Sequence, residues 1–147
     1  MRHAGISCIC LLGLFAATAG AQDNRPNFSG SWQLNSAKSE VHSGKPAAIK
    51  LTIEQKGSTI HVVRTLKATD GKETSIEFNC TTDGKDCDAK GAKVSLWYDG
   101  SSLVEMDIGE TVTKSKMTLS SDGKTLNCET TFISPQADAD NLELDKI

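Results

Sequence analysis

The sequence predicts an all-β protein, an antiparallel up-and-down meander that closes into an eight- to ten-stranded barrel. Three observations carry this. Glycine-containing turns recur at Lys56-Gly57-Ser58, Asp70-Gly71-Lys72, Asp83-Gly84-Lys85, Asp99-Gly100-Ser101 and Asp122-Gly123-Lys124. Asp-Gly suits a tight hairpin because both central residues must tolerate positive φ. The stretches between the turns alternate apolar and polar residues, which is the period of a strand with one buried face. Stripes with the 3.6-residue period of an amphipathic helix are absent from them.

The chain begins with basic Met1-Arg2-His3, an apolar run over residues 6–17 and the small-x-small triplet Ala19-Gly20-Ala21. That is the pattern of a secretory signal, residues 1–21, cleaved after Ala21. The run is short for a bilayer and precedes polar Gln22-Asp23-Asn24-Arg25, so no stable membrane insertion is expected after cleavage. Residues 22–147 are then of one-domain size.

Phe28, Gly30, Trp32 and Leu34 alternate with Ser29, Ser31 and Gln33, giving a first strand with one face buried. Residues 35–46 break the pattern: Ser36 caps an expected single helical turn over 37–40, and Ser43-Gly44-Lys45-Pro46 reads as loop. Strands then read at 48–55, 59–67, 73–81, 93–98, 102–108, 111–120, 125–133 and 141–146. A series of hairpin-linked strands with one apolar face must stack as two sheets or close, and closure removes both exposed edges. The last segment, 141–147, is therefore expected to pair with the strand carrying Trp32. Parity places inside Leu51 and Ile53; Ile60, Val62 and Leu66; Ile76 and Phe78; Val94, Leu96 and Tyr98; Val104, Met106 and Ile108; Met117 and Leu119; Leu126 and Phe132. The interior of such a barrel is either filled by side chains or holds one small ligand.

The net charge is −3 and the lysines are scattered, which argues against nucleic acid or an anionic membrane surface as partner. Cys8 and Cys10 leave with the signal, and Cys80, Cys87 and Cys128 remain in a compartment where disulfides form. A two-residue turn at Asp83-Gly84 would set Cys80 opposite Cys87, within reach of a disulfide; the alternatives are two unpaired thiols or a longer loop. Cys128 is left as a buried inert thiol. Three cysteines at these spacings with two scattered histidines lack the paired pattern of a metal site, so no metal and no cofactor are expected.

The opening strand, Asn27-Phe28-Ser29-Gly30-Ser31-Trp32-Gln33-Leu34-Asn35, resembles that of the lipocalin and fatty-acid-binding barrels. In those a Gly-x-Trp element begins the barrel and the indole plugs one end. The resemblance extends to small secreted bacterial proteins of the lipocalin-like kind, and it implies a barrel floor at Gly30 and Trp32. Lipocalins also set a basic residue late in the chain against that tryptophan, and no arginine follows Arg64 here.

Among candidate site residues, Arg64 shares parity with Ile60, Val62 and Leu66. An inward guanidinium is offset by an anionic ligand head group; alternatively the strand bends near Thr65 and Arg64 reaches solvent or pairs with Glu77. Tyr98, Thr113, Ser115 and Thr130 share the inward parity and either line a cavity or satisfy one another. His61 has outward parity and His42 lies in the early loop, so a shared site for them is not expected. No nucleophile elbow, phosphate-binding glycine loop or metal-ligand motif occurs, and no catalytic residue is assigned.

Three functional classes follow from this reading. The first is a secreted or periplasmic, non-enzymatic barrel binding a small apolar or amphiphilic molecule. The second is a filled barrel serving as a structural or protein-interaction module of the cell envelope, using outward Trp97 or the loop over 35–46. The third, a hydrolase or isomerase in the barrel mouth, needs Tyr98, Arg64 and His61 to converge, which their parity does not supply.

Overall fold

A computed structural model describes residues 24–44 and 46–147. The expected signal peptide, its cleavage site, Cys8, Cys10 and Lys45 lie outside the described residues. Ten strands follow one another: β1 (Gly30–Leu34), β2 (Ala48–Lys56), β3 (Thr59–Lys67), β4 (Glu73–Thr81), β5 (Asp83–Ala89), β6 (Ala92–Asp99), β7 (Ser102–Ile108), β8 (Val112–Leu119), β9 (Thr125–Ser134) and β10 (Ala137–Lys146). They form one antiparallel sheet in the order β4-β3-β2-β1-β10-β9-β8-β7-β6-β5. The expected join of the two chain ends is made, with Trp32 opposite Lys146 and Leu34 opposite Leu144. The sheet curls into a nearly closed barrel whose free edges are β4 and β5.

Those edges are stapled rather than laddered. Cys80 in β4 and Cys87 in β5 form a disulfide with their Cα atoms 5.5 Å apart, so the expected bridge exists. Its expected turn does not. Asp83 already belongs to β5 and pairs with Trp97 of β6, Gly84 sits in an irregular stretch between Asp83 and Asp86, and Thr82 alone separates β4 from β5. The Thr82 N–H donates instead to the Ser58 carbonyl at 2.8 Å.

The reason is visible in all three Asp-Gly-Lys triplets. Each aspartate accepts the N–H two residues on, Asp70 from Lys72 at 2.9 Å, Asp83 from Lys85 at 3.1 Å and Asp122 from Lys124 at 3.1 Å. This side-chain turn competes with a two-residue hairpin. The two-residue loops fall at Gly57-Ser58, Lys90-Gly91 and Gly100-Ser101, between the terminal pairs Lys56↔Thr59, Ala89↔Ala92 and Asp99↔Ser102. Lys90 and Gly91 both take positive φ, the demand of a type I′ turn.

β5 was not legible as a separate strand because, with Asp83, Lys85, Asp86 and Asp88 in it, it has no apolar face beyond Cys87 and Ala89. The expected helical turn is likewise a simple turn: Lys38 N–H bonds the Asn35 carbonyl at 3.1 Å, and Glu40 then bridges to Asn141.

The inward set holds in β2, β3, β4, β6, β8 and β9 and fails in β7. The Gly100-Ser101 turn fixes a register of Tyr98↔Leu103, Leu96↔Glu105 and Val94↔Asp107. Leu103, Glu105 and Asp107 therefore share the interior face, while Val104, Met106 and Ile108 lie on the other face with Trp97 and Ser95, where Val104 is nonetheless buried at 1% exposure. Ile108 is 47% exposed. Hydrophobicity alone favoured the wrong parity, because a one-residue slip moves every side chain of a strand to the other face.

Candidate functional site

The barrel is solid at one end and open at the other. Trp32 is fully buried at the solid end, its indole N–H donating to the Phe28 carbonyl at 3.2 Å. Gln55 accepts the Phe28 N–H at 3.0 Å and donates to the Tyr98 hydroxyl at 3.0 Å, and that hydroxyl donates to the Pro26 carbonyl at 3.3 Å. Ile53, Ile60, Leu96, Leu103 and Leu126 pack with them at 2% exposure or less. Large aromatic and branched side chains with every indole and hydroxyl proton placed make a closed floor.

Lys146 reaches over the Trp32 ring, its Nζ 5.3 Å from the centroid. A basic residue of β10 thus lies against the tryptophan of β1. Gly30 has φ +152°, and a Cβ there would come 2.9 Å from the Lys146 Cε and 3.5 Å from the indole.

The open end holds a cavity of about 750 Å³. Its wall is apolar along Ile49 and Leu51 of β2, Leu66 of β3, Met117 of β8 and Leu142 and Leu144 of β10. Its rim is the early loop, with Val41, Ser43, Gly44 and Pro46, facing Ala68, Thr69 and Lys72 of the β3–β4 turn. The loop is held down by Asp140, which is 5% exposed. One carboxylate oxygen accepts the His42 N–H at 2.6 Å and the Ser43 N–H at 3.2 Å, and the other accepts the Ser43 hydroxyl.

Arg64 points into this cavity. Its partner is not Glu77, whose Oε1 lies 2.8 Å from His61 Nε2 on the outer face. Arg64 Nη2 donates to Glu105 Oε1, and Nη1 lies 3.7 Å from Asp107 Oδ2. The Glu105 side chain is 1% exposed, while those of Arg64 and Asp107 are each 24% exposed. The neighbouring Glu105 charge holds the arginine well above its usual range. Burial, then the Glu105 charge, push Asp107 up to about 7, with Arg64 and the Thr113 hydroxyl opposing.

On the adjoining wall the Ser115 and Thr130 hydroxyls lie 2.9 Å apart, both lining the cavity and satisfying each other. Cys128 lines it too, with its sulfur 3.7 Å from the Thr130 hydroxyl, and burial pushes the thiol up. Of the sequence candidates, Arg64, Ser115, Thr130 and Thr113 are thus brought together in one space. Tyr98 belongs to the floor instead, against Phe28 at 6.3 Å between ring centroids and beneath the Arg25 guanidinium. Glu105 and Asp107 were missed, since the apolar residues of β7 set its expected parity. The signal that could have found them is Arg64 itself, whose inward parity called for an acidic partner at an inward position.

Fold and cavity together define a small antiparallel β-barrel with an internal chamber open at one end. No protein-family model matches the chain, and no curated protein matches its sequence. Among solved structures the chain is similar to the REP1-NXSQ fatty acid transporter, at 13% identity over 82% of this chain and 96% of that one, with a TM-score of 0.58. A point mutant of that transporter gives 14% identity over 82% and 98%, with a TM-score of 0.59. The likeness is one of fold, and it spans nearly all of the transporter.

Proposed function

We propose that this protein is a non-enzymatic carrier or receptor barrel, secreted or periplasmic, that takes one small apolar or amphiphilic molecule into its open half. The observation that carries the reading is the cavity: about 750 Å³ with an apolar wall and a few convergent polar groups. Pockets for small ligands typically measure roughly 300–1,000 Å³ with this kind of lining. Arg64, Ser115 and Thr130 line the chamber on its polar side, the Arg64 guanidinium already engaged by Glu105. Gly30 and Trp32, with Tyr98, serve the floor that keeps the chamber one-ended. The resemblance to a fatty acid transporter barrel supports the same class, and the Cys80–Cys87 bridge suits an oxidising compartment.

The test is binding of a neutral apolar fluorophore such as N-phenylnaphthylamine to the mature protein and to Ser115→Phe, which places a ring in the chamber. The expected result is saturable binding near one equivalent that the phenylalanine abolishes while the fold is kept. Absent or unsaturable binding by the native protein would refute the proposal, as would unchanged binding by a folded Ser115→Phe. Native mass spectrometry of protein purified from its own host then identifies the natural occupant.

A further inference from the structure

The polar end of the cavity has an uneven charge balance. Among the described residues, Arg64 is the single cation of the interior groups there, and it faces two carboxylates carried by one strand, Glu105 and Asp107. Glu105 takes the direct hydrogen bond and is enclosed. Asp107 receives the weaker share, 3.7 Å from Nη1 and 3.4 Å from the Thr113 hydroxyl, with a side-chain hydrogen bond to Glu105 that favours its protonated form, and it lines the cavity while Glu105 does not. The carboxylate presented to an incoming ligand is therefore the less satisfied one. A ligand carboxylate approaching Arg64 would meet a guanidinium whose two terminal nitrogens already face acids, with like charge beside it.

Resting on the ligand-carrier reading above, we propose that the head group this cavity accepts is cationic, an aliphatic ammonium that pairs with Asp107, and that a fatty-acid anion is disfavoured. The remaining groups around Asp107 agree with this. Val94 opposite it in β6 is apolar, Thr113 in β8 offers a hydroxyl, Cys128 in β9 is held neutral by burial, and Arg64 in β3 is committed to Glu105. Of the charged residues farther along the wall, Asp140 is occupied by His42 and Ser43, and Lys72 lies at the exposed rim, where water screens it. An ammonium supplies the second positive charge to a two-acid, one-base cluster and hydrogen-bonds the exposed carboxylate, a charge-assisted contact.

The pH dependence has a definite sign. Burial, then the Glu105 charge, raise Asp107 to about 7, so its ionised fraction grows between pH 6 and pH 8. A cation binds only the ionised form well, so its affinity rises from pH 6 to pH 8. An anion gains nothing from ionising Asp107 and weakens over the same interval.

The experiment uses three amphiphiles of one chain length, decylammonium, decan-1-ol and decanoate, each displacing N-phenylnaphthylamine from the mature protein at pH 6 and pH 8. The expected order at pH 8 is decylammonium tighter than decanoate by about tenfold or more, a gap that narrows at pH 6. Asp107→Asn should collapse the gap and leave decan-1-ol unchanged. Decanoate equal to or tighter than decylammonium at pH 8, or a gap that survives Asp107→Asn, overturns the inference while leaving the carrier reading intact. If no chain, decan-1-ol included, displaces the fluorophore, the carrier reading fails and the inference fails with it.

Discussion

Arg64→Met tests the interior ion pair directly. The substitution keeps most of the side-chain volume against Leu66 and the cavity wall, and it leaves the Glu105 carboxylate enclosed at 1% exposure without its cation. Breaking a buried pair from one side costs about 3–5 kcal/mol, because an uncompensated charge stays behind. Asp107 loses its weaker, 3.7 Å partner in the same step. With a urea dependence of about 2 kcal/mol/M for a domain of this size, a loss of about 4 kcal/mol moves the unfolding midpoint down by about 2 M. That is a large part of the ~5–15 kcal/mol that holds such a domain together. The assay is urea unfolding followed by tryptophan fluorescence, repeated on Arg64→Met with Glu105→Leu. The paired variant removes both charges and should recover most of the loss, since replacing a whole buried pair with apolar groups is often neutral or better. A single variant within 1 kcal/mol of the native protein, or a paired variant no more stable than the single one, would refute the claim that Glu105 needs Arg64 to be buried.

Asp107 has its folded pKa raised to about 7 from an ordinary carboxylate value, so its ionisation opposes folding increasingly from about pH 4 up to 7 and by a constant amount above that. Asp107→Asn should stabilise the protein at pH 8 on the order of 2 kcal/mol and do little at pH 4, measured as a difference in urea midpoint. Cys80→Ser with Cys87→Ser should cost about 2 kcal/mol by loop closure, and should raise amide exchange along the β4 and β5 edges, where no ladder runs among the described residues. Thiol counting on oxidised, denatured protein should find one free thiol in residues 22–147, at Cys128; three would contradict the bridge. In the folded protein that thiol should label slowly, and more slowly still with a ligand in the cavity it lines. Gly30→Ala should lower stability by about 1–2 kcal/mol through its positive φ and the displacement of Lys146, with Lys146→Ala alone costing under about 1 kcal/mol. A melting temperature unchanged in Gly30→Ala would show that position 30 does not hold the positive φ.

The all-β class, most of the strands, the order of the meander and the partnership of the first strand with the last were all legible in the chain. The physical reason is that each depends on local chemistry, period-two alternation broken by turn residues, together with the need to hide sheet edges. The sequence also brought Cys80 and Cys87 together, though from a turn that the chain does not make. Tertiary structure alone decided three things. It set the parity of β7, because pairing across Gly100-Ser101 outranked the apolar preference of Val104, Met106 and Ile108. It divided the interior into a solid floor and an open chamber, because Tyr98 and Gln55 reach the N-terminal segment around Phe28 while Arg64, Ser115 and Thr130 do not. Finally, it gave Arg64 its acidic partners, which lie 41 residues away in Glu105 and farther still in Asp107. Neighbours across a barrel interior are chosen by the register of several hairpins in succession, and no local pattern in the chain records that sum.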